Sequence, residues 1–235
     1  MAKLDLERIL KNQGFGTRKM CRILIINEEV TVNGELCDDP DAVFALENLR
    51  YTVKGESWEY RERSYLMMHK PAHYECTHKT QFHPTIFTLL PQPLVERGVQ
   101  CIGRLDEDTT GLILISDDGQ FIHKISSPKH HVPKVYEVTC KHPLVEANIH
   151  ALLGGVKLVD EDETIAALAV EKVSDNVIQM TLAEGKYHQV KRMVAAIGNR
   201  VEVLKRIQIG KLKLPEDLKV GEWRWLSESD IRKLS

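Results

Sequence analysis

No stretch of this sequence approaches the roughly 18 consecutive apolar residues needed to span a bilayer. The longest apolar runs, such as residues 111–115, are only strand length, which excludes a helical membrane protein as a class. Cysteine is sparse and scattered: Cys21, Cys37, Cys76, Cys101 and Cys140 contain no C-x-x-C pair. A disulfide framework is therefore not expected, and reduced thiols, several of them buried, are. There is no internal repeat, no low-complexity tract and no collagen-like period. Leu152-Leu153-Gly154-Gly155-Val156 is glycine-containing, but no G-K-[ST] follows it, so it is not a phosphate loop. The first residues, Met-Ala-Lys-Leu-Asp-Leu-Glu-Arg, lack an apolar core and a small-residue cleavage site, so a cytoplasmic protein without a secretory signal is expected.

What is present fits an ordinary globular chain. With 235 residues, 43% hydrophobic and 28% charged, it has room for one large or two small domains. The net charge of −2 hides strong segregation. Residues 1–26 carry six basic groups against Asp5 and Glu7; residues 27–60 carry nine acidic groups against Arg50 and Lys54. Residues 184–213 carry eight basic groups against Glu184 and Glu202. A partner meets a face rather than an average, and segregated basic patches suit a phosphate backbone.

Leu4, Leu6, Ile9 and Leu10 form an apolar stripe at helical spacing, which Gly14 and Gly16 end. Thr17 is an N-cap candidate for a second helix, with Met20, Ile23 and Leu24 expected to face inward and Arg18, Lys19 and Arg22 outward. Asn33-Gly34 between Val30-Thr31-Val32 and Glu35-Leu36-Cys37 is a strong hairpin signal. Two short helices, the second basic, followed by an N-G hairpin resemble the S4 RNA-binding domain. That resemblance covers roughly residues 1–60 and implies RNA contacts through Arg8, Lys11, Arg18, Lys19 and Arg22. Asn27-Glu28-Glu29 departs from the glycine the family often has before its hairpin.

The polar, glycine-containing residues 54–63 read as a linker, dividing the chain into domains 1–60 and 61–235. Beyond it, residues 64–69, 111–116, 134–140, 166–173 and 177–183 are predicted strands. Residues 120–126, 146–153 and 188–197 are predicted helices, with Asp117-Asp118-Gly119 as a turn between strand and helix. Adjacent strands broken by helices predict an α+β fold with a mixed, mainly antiparallel sheet.

The most informative stretch is Gly103-Arg104-Leu105-Asp106-Glu107-Asp108-Thr109-Thr110-Gly111-Leu112. It sets a carboxylate ahead of a polar turn and a buried strand. On chemistry alone, Asp106 fits a nucleophile, a general base, a metal ligand or an N-cap. The G-R-L-D…T-T-G-L pattern closely resembles the central motif of pseudouridine synthases of the RsuA/RluA superfamily. Tyr65-Leu66-Met67-Met68-His69-Lys70-Pro71 resembles that family's strand and Lys-Pro motif, with His69 standing where these enzymes usually have Asn. Residues 184–193, E-G-K-Y-H-Q-V-K-R-M, resemble the signature of the RsuA branch, as do Ser126-Ser127-Pro128-Lys129-His130-His131 and Lys134-Val135-Tyr136. The motifs occur in family order across nearly the whole chain.

The resemblance implies isomerisation of one uridine of small-subunit (16S) ribosomal RNA to pseudouridine. The N1–C1′ bond breaks and the base rejoins through C5, with no cofactor and no metal. It implies Asp106 as the essential group, Lys191 as its cationic partner, Tyr136 as an active-site aromatic and Leu204 packed against the base. Arg104 would fill the space of the flipped base or hold a phosphate. Lys70, Lys129, His130, Lys186, His188, Gln189 and Arg192 are further expected RNA contacts. On the 188–197 helix, Lys191 flanks the apolar face of Val190, Met193, Val194 and Ile197, and Arg192 is expected to reach solvent or phosphate. The expected partner is ribosomal RNA, free or in an assembling 30S particle, bound by a monomer with no membrane contact. The competing functions are the same reaction on large-subunit (23S) rRNA and a non-catalytic RNA-binding or ribosome-assembly protein. His69, His73, Cys76, His78 and His83 lie close together and raise a fourth, a metal-dependent hydrolase. Their spacing fits no standard zinc pattern, and loop histidines near RNA are the plainer expectation.

Overall fold

The computed structural model describes residues 2–127, 132–158, 161 and 163–234. It divides into two compact units: residues 1–64 with 90–100, and residues 65–89 with 101–235.

In the first unit, helices Leu6–Asn12 and Arg18–Ile26 pack on a small antiparallel sheet. Asp5 caps the first helix by accepting from the Arg8 backbone N–H at 2.8 Å, and Thr17 caps the second by accepting from Met20 N–H at 3.3 Å. Asn33 and Gly34 both have positive φ, as the hairpin between Val30–Val32 and Glu35–Leu36 requires. Leu6, Ile9, Leu10, Cys21, Ile25, Val30, Val32 and Tyr51 form the core. Phe15 sits edge-on to both Tyr51 and Trp58.

Two expectations are corrected here. Met20 and Ile23 do not face inward: they are 54% and 48% exposed, and Cys21 and Ile25 are buried instead. Apolar residues lie on both sides of this short helix, so periodicity alone did not choose the face. The expected linker is also partly sheet. Glu56–Glu59 pairs antiparallel with Arg50–Val53 across a Lys54-Gly55 turn of positive φ, which delivers Trp58 to the core. The glycine marked a hairpin, not a boundary. Residues 90–100 join this unit at Gly14, where a Cβ would fall 1.9 Å from the Pro93 carbonyl oxygen. Arg97 donates to the Arg61 carbonyl at 2.8 Å.

The second unit is built on a mixed sheet. Its strands lie in the order Ala169–Lys172, Val177–Leu182, Lys134–Cys140, Val201–Ile209, Thr110–Ser116, Tyr65–Lys70 and Trp223–Trp225. Along this order the neighbours pair antiparallel, except Thr110–Ser116 with Val201–Ile209, which are parallel. The expected α+β architecture is therefore present. Leu112, Ile113, Leu114 and Ile115 are wholly buried, each worth about 2 kcal/mol of transfer free energy. The parallel pairing brings Gly111 against Arg206: a Cβ there would lie 2.2 Å from the Arg206 carbonyl oxygen, and φ is +107°. Only glycine fits both constraints.

The predicted helices appear as Gly119–Ser126, Glu146–Gly154 and Gln189–Ala196. Asp118 caps the first, accepting from Gln120 and Phe121 N–H and from the Tyr65 hydroxyl at 2.6 Å. The predicted strand 166–173 is shorter than expected, at Ala169–Lys172. All five cysteines are free. No helix among the described residues is long and apolar enough to cross a membrane.

Candidate active site

The loop carrying Asp106 runs directly into the Thr110–Ser116 strand. Its shape is held from below by Lys70, whose side chain is fully buried. The Lys70 ammonium donates to the carbonyls of Pro71 (3.0 Å), Glu107 (3.1 Å) and Thr109 (2.8 Å). Burial lowers its pKa, against the opposing pull of nearby Cys76 and Glu107. Lys70 therefore cannot be the RNA contact expected of it: it is a brace inside the protein, with no atom left at the surface. His69 is likewise a packed residue, its Nδ1 2.9 Å from the Leu218 carbonyl oxygen.

Above this brace, Lys191 and His188 converge on Asp106. The Lys191 amine lies 3.1 Å from Asp106 Oδ2, and His188 Nε2 lies 3.4 Å from Asp106 Oδ1. The helix Gln189–Ala196 supplies the geometry. Val190, Met193 and Val194 are buried, which turns Lys191 along the flank toward the loop, as the periodicity predicted. His188 precedes the helix in a left-handed conformation (φ +47°), and its ring stacks on Tyr187 with centroids 3.8 Å apart. A non-glycine residue held this way is the kind of local strain that marks functional loops.

Asp108 was not singled out by the sequence. Its carboxylate takes Lys191 at 2.7 and 2.9 Å, closer than Asp106 does. Partial burial by itself would lower the Lys191 pKa, but the contacts with Asp108 and Asp106 outweigh it and raise the value. Burial would raise the Asp108 pKa, and the Lys191 contact overturns that and holds it below the ordinary 3.8. With the amine's pKa raised and the acid's lowered, the pair stays ionised throughout the neutral range. Lys191 is thus shared between two carboxylates, and the one spacing that reveals it, Asp106 to Asp108 across a turn, looked like ordinary loop polarity.

A cleft opens beside Asp106. Tyr136 and Leu204, on neighbouring strands, line one wall and are nearly buried, at 8% and 7% exposed. Arg104, Lys186, His188 and Gln189 line the rest. Arg104 is exposed, open to a ligand in the cleft. Asp106, Tyr136, Lys191, Arg104, His188 and Leu204 are therefore brought together as expected.

Other expected contacts are engaged elsewhere. Gln189 is buried, and its Oε1 accepts from the Lys186 N–H at 2.9 Å, closing the turn before the helix. The Lys186 amine pairs with Glu161 at 2.6 Å. Arg192 does not extend into solvent: it donates to the Tyr187 carbonyl at 3.2 Å and lies 3.6 Å from Glu161. Glu161, distant in sequence, could not be anticipated as their partner. In the first unit, Arg22 is bound to Glu7 at 3.0 Å and Asp41 at 3.2 Å, so it is not the unengaged cation expected. Exposed Arg8 and Arg18 pair with the partly buried Asp5 and Glu7, while Lys11 and Lys19 are exposed with no ion pair among the described residues. Lys129 and His130 lie outside the described residues.

The family described as RNA pseudouridylate synthase matches residues 64–196, which includes the Asp106 loop and Lys191. The chain is 37% identical to "Ribosomal small subunit pseudouridine synthase A" of Vibrio parahaemolyticus, over 97% of this chain and 98% of that protein. It is 37% identical to an uncharacterized RNA pseudouridine synthase of Bacillus subtilis, over 99% and 98%. A solved structure titled "Crystal structure of pseudouridylate synthase" superposes with a TM-score of 0.71 at 36% identity, covering 99% of this chain and all of that one.

Proposed function

The chain belongs to the RNA pseudouridylate synthase family, and from that premise we propose that it converts one uridine of small-subunit (16S) rRNA to pseudouridine, with Asp106 as the reacting carboxylate. The small-subunit target is supported by the names of relatives that align along nearly their full length. The observation that carries the chemistry is Asp106 lying 3.1 Å from the Lys191 amine at the edge of a cleft walled by Tyr136 and Leu204.

The reaction is an isomerisation. The N1–C1′ bond breaks, the detached uracil turns within the cleft, C5 bonds to C1′, and the proton on C5 is lost as N1 gains one. Atoms and electrons balance without an external donor. Asp106 acts by adding to C1′, by adding to C6, or through a glycal; each route needs its carboxylate aimed at the reacting centre, and the Lys191 amine 3.1 Å away holds it in place. The Tyr136 ring offers a stacking face for the turning base, and its hydroxyl is suited to carry the C5 proton. Leu204 closes the apolar side. Arg104 takes the space or a phosphate of the extruded nucleotide, offsetting unstacking that costs a few kcal/mol.

In this reading the first unit is an S4-type RNA-binding domain that supplies affinity through Arg8, Lys11, Arg18 and Lys19. The protein acts as a monomer in the cytoplasm, on free small-subunit rRNA or an assembling 30S particle.

The test is pseudouridine formation in small-subunit rRNA transcripts and partly assembled particles, mapped by primer extension after pseudouridine-specific labelling. Wild type should modify one uridine, and Asp106→Ala none. Activity retained in Asp106→Ala would discard the mechanism. Modification of large-subunit (23S) rRNA alone would move the target. RNA binding with no modification of either RNA would favour a non-catalytic assembly protein.

A further inference from the structure

At Glu107, the residue after the proposed nucleophile, the fold gathers three metal-ligating side chains to which the proposed reaction assigns no role. His73 Nδ1 lies 3.4 Å from Glu107 Oε2, and His83 Nε2 lies 3.7 Å from the same oxygen. One ligand atom from each of the three falls within 4.8 Å of the others. We propose that His73, His83 and Glu107 form a binding site for a zinc ion, which ties the segment after Lys70 to the residue following Asp106.

The spacing suits the ion. Zinc holds imidazole nitrogen and carboxylate oxygen at about 2.0–2.2 Å, so a tetrahedral site has ligand–ligand edges of about 3.3–3.6 Å. The 3.4 Å from His73 to Glu107 falls within this range, the 3.7 Å from His83 lies just above it, and all three ligand atoms lie within 4.8 Å of one another. Two nitrogens and one oxygen leave a fourth position for water, a donor set that zinc favours over magnesium or calcium. Glu107 Oε2 is shielded from solvent and accepts no hydrogen bond, an uncompensated acceptor at the point where an ion would sit. His73 is 76% exposed, which leaves an entry path.

The backbone prepares this arrangement independently of a metal. The Glu107 carbonyl accepts from the His73 N–H at 2.7 Å, so the two ligands are already joined. The Glu75 carboxylate accepts from the N–H groups of Phe82 and His83, each at 3.0 Å, which curls the loop and returns His83 to Glu107. The third ligand comes from the Asp106 loop, which is why the histidine spacing alone matched no zinc pattern.

The experiment is calorimetric titration of the chelator-treated full chain with Zn2+, followed by visible spectroscopy of the Co2+-loaded form. One saturable equivalent is expected. His73→Ala, His83→Ala and Glu107→Gln should each weaken binding at least about tenfold, with circular dichroism confirming a retained fold. His150→Ala, which removes the exposed pair with Glu146 at 3.8 Å, should leave binding unchanged. The proposal is overturned by absence of saturable binding, by equal affinity in the three ligand variants, or by loss in His150→Ala. A variant that fails to fold leaves the wild-type Co2+ spectrum to decide. Tetrahedral d–d bands without thiolate charge transfer support the site, and a thiolate band assigns the ion to cysteine and refutes it.

Discussion

Lys19, in the first unit, is exposed and has no ion pair among the described residues, whereas Lys70, in the second, is fully buried and spends its ammonium on three backbone carbonyls. Lys191 lies between these extremes, partly buried and shared by Asp106 and Asp108. The same functional group thus has three physical roles. At the surface it contributes long-range attraction that salt screens. At a half-buried site it pairs with neighbouring carboxylates and fixes their direction. In the interior it replaces water for carbonyls that would otherwise be orphaned. Solvent access decides among these roles, and residue type does not.

The largest expected effect tests the middle case. Lys191→Ala should lower kcat by about 10²–10⁴-fold, the range of a lost charge partner or proton-transfer group, while RNA affinity stays within about threefold of wild type. Single-turnover rates beside filter binding check this, and an equal loss in both would erase the distinction from Lys19. Next is Lys70→Met, which keeps the side-chain length and removes the donors. Leaving the Glu107 and Thr109 carbonyls unsatisfied should cost about 2–4 kcal/mol of folding stability, read from urea unfolding. A stability equal to wild type would show that the brace is dispensable. The smallest effect lies in the first unit. Lys11→Ala with Lys19→Ala should weaken rRNA binding about tenfold or less at moderate salt and reduce the salt slope by about 1–2. Arg22→Ala should change binding less than that pair, because Glu7 and Asp41 already offset its charge. A larger loss in Arg22→Ala would reverse that ranking.

Much of the fold was legible because its signals are local. Asn33-Gly34 demands a tight hairpin wherever it stands, and Asp118 caps a helix by reaching only two or three residues along the chain. The helix at 189–196 could be oriented from Val190, Met193 and Val194, so Lys191 was legible as a cleft residue. Met20 and Ile23 were misread because a short helix with apolar residues on several sides does not specify which side meets a core. Glu56–Glu59 was misread because a Lys-Gly turn between polar residues looks the same in a linker and in a hairpin.

The candidate site divides along the same line. Asp106, Tyr136, Lys191 and Leu204 were nominated by motifs; Asp106, Tyr136 and Leu204 line one cleft, and Lys191 reaches it by pairing with Asp106. Asp108, Glu161 and Glu107 carried no signal of their own, since each becomes meaningful only through a partner far along the chain. Hydrophobic period, caps and turns act over a few residues, so the sequence by itself determined most of the elements, and its motifs nominated Asp106 as the candidate reacting carboxylate. Burial, ion pairing and hydrogen-bond satisfaction depend on distances across strands and loops. Tertiary structure alone therefore decided that Lys70 is a brace, that Lys191 is shared, and that two loop histidines meet the carboxylate next to Asp106.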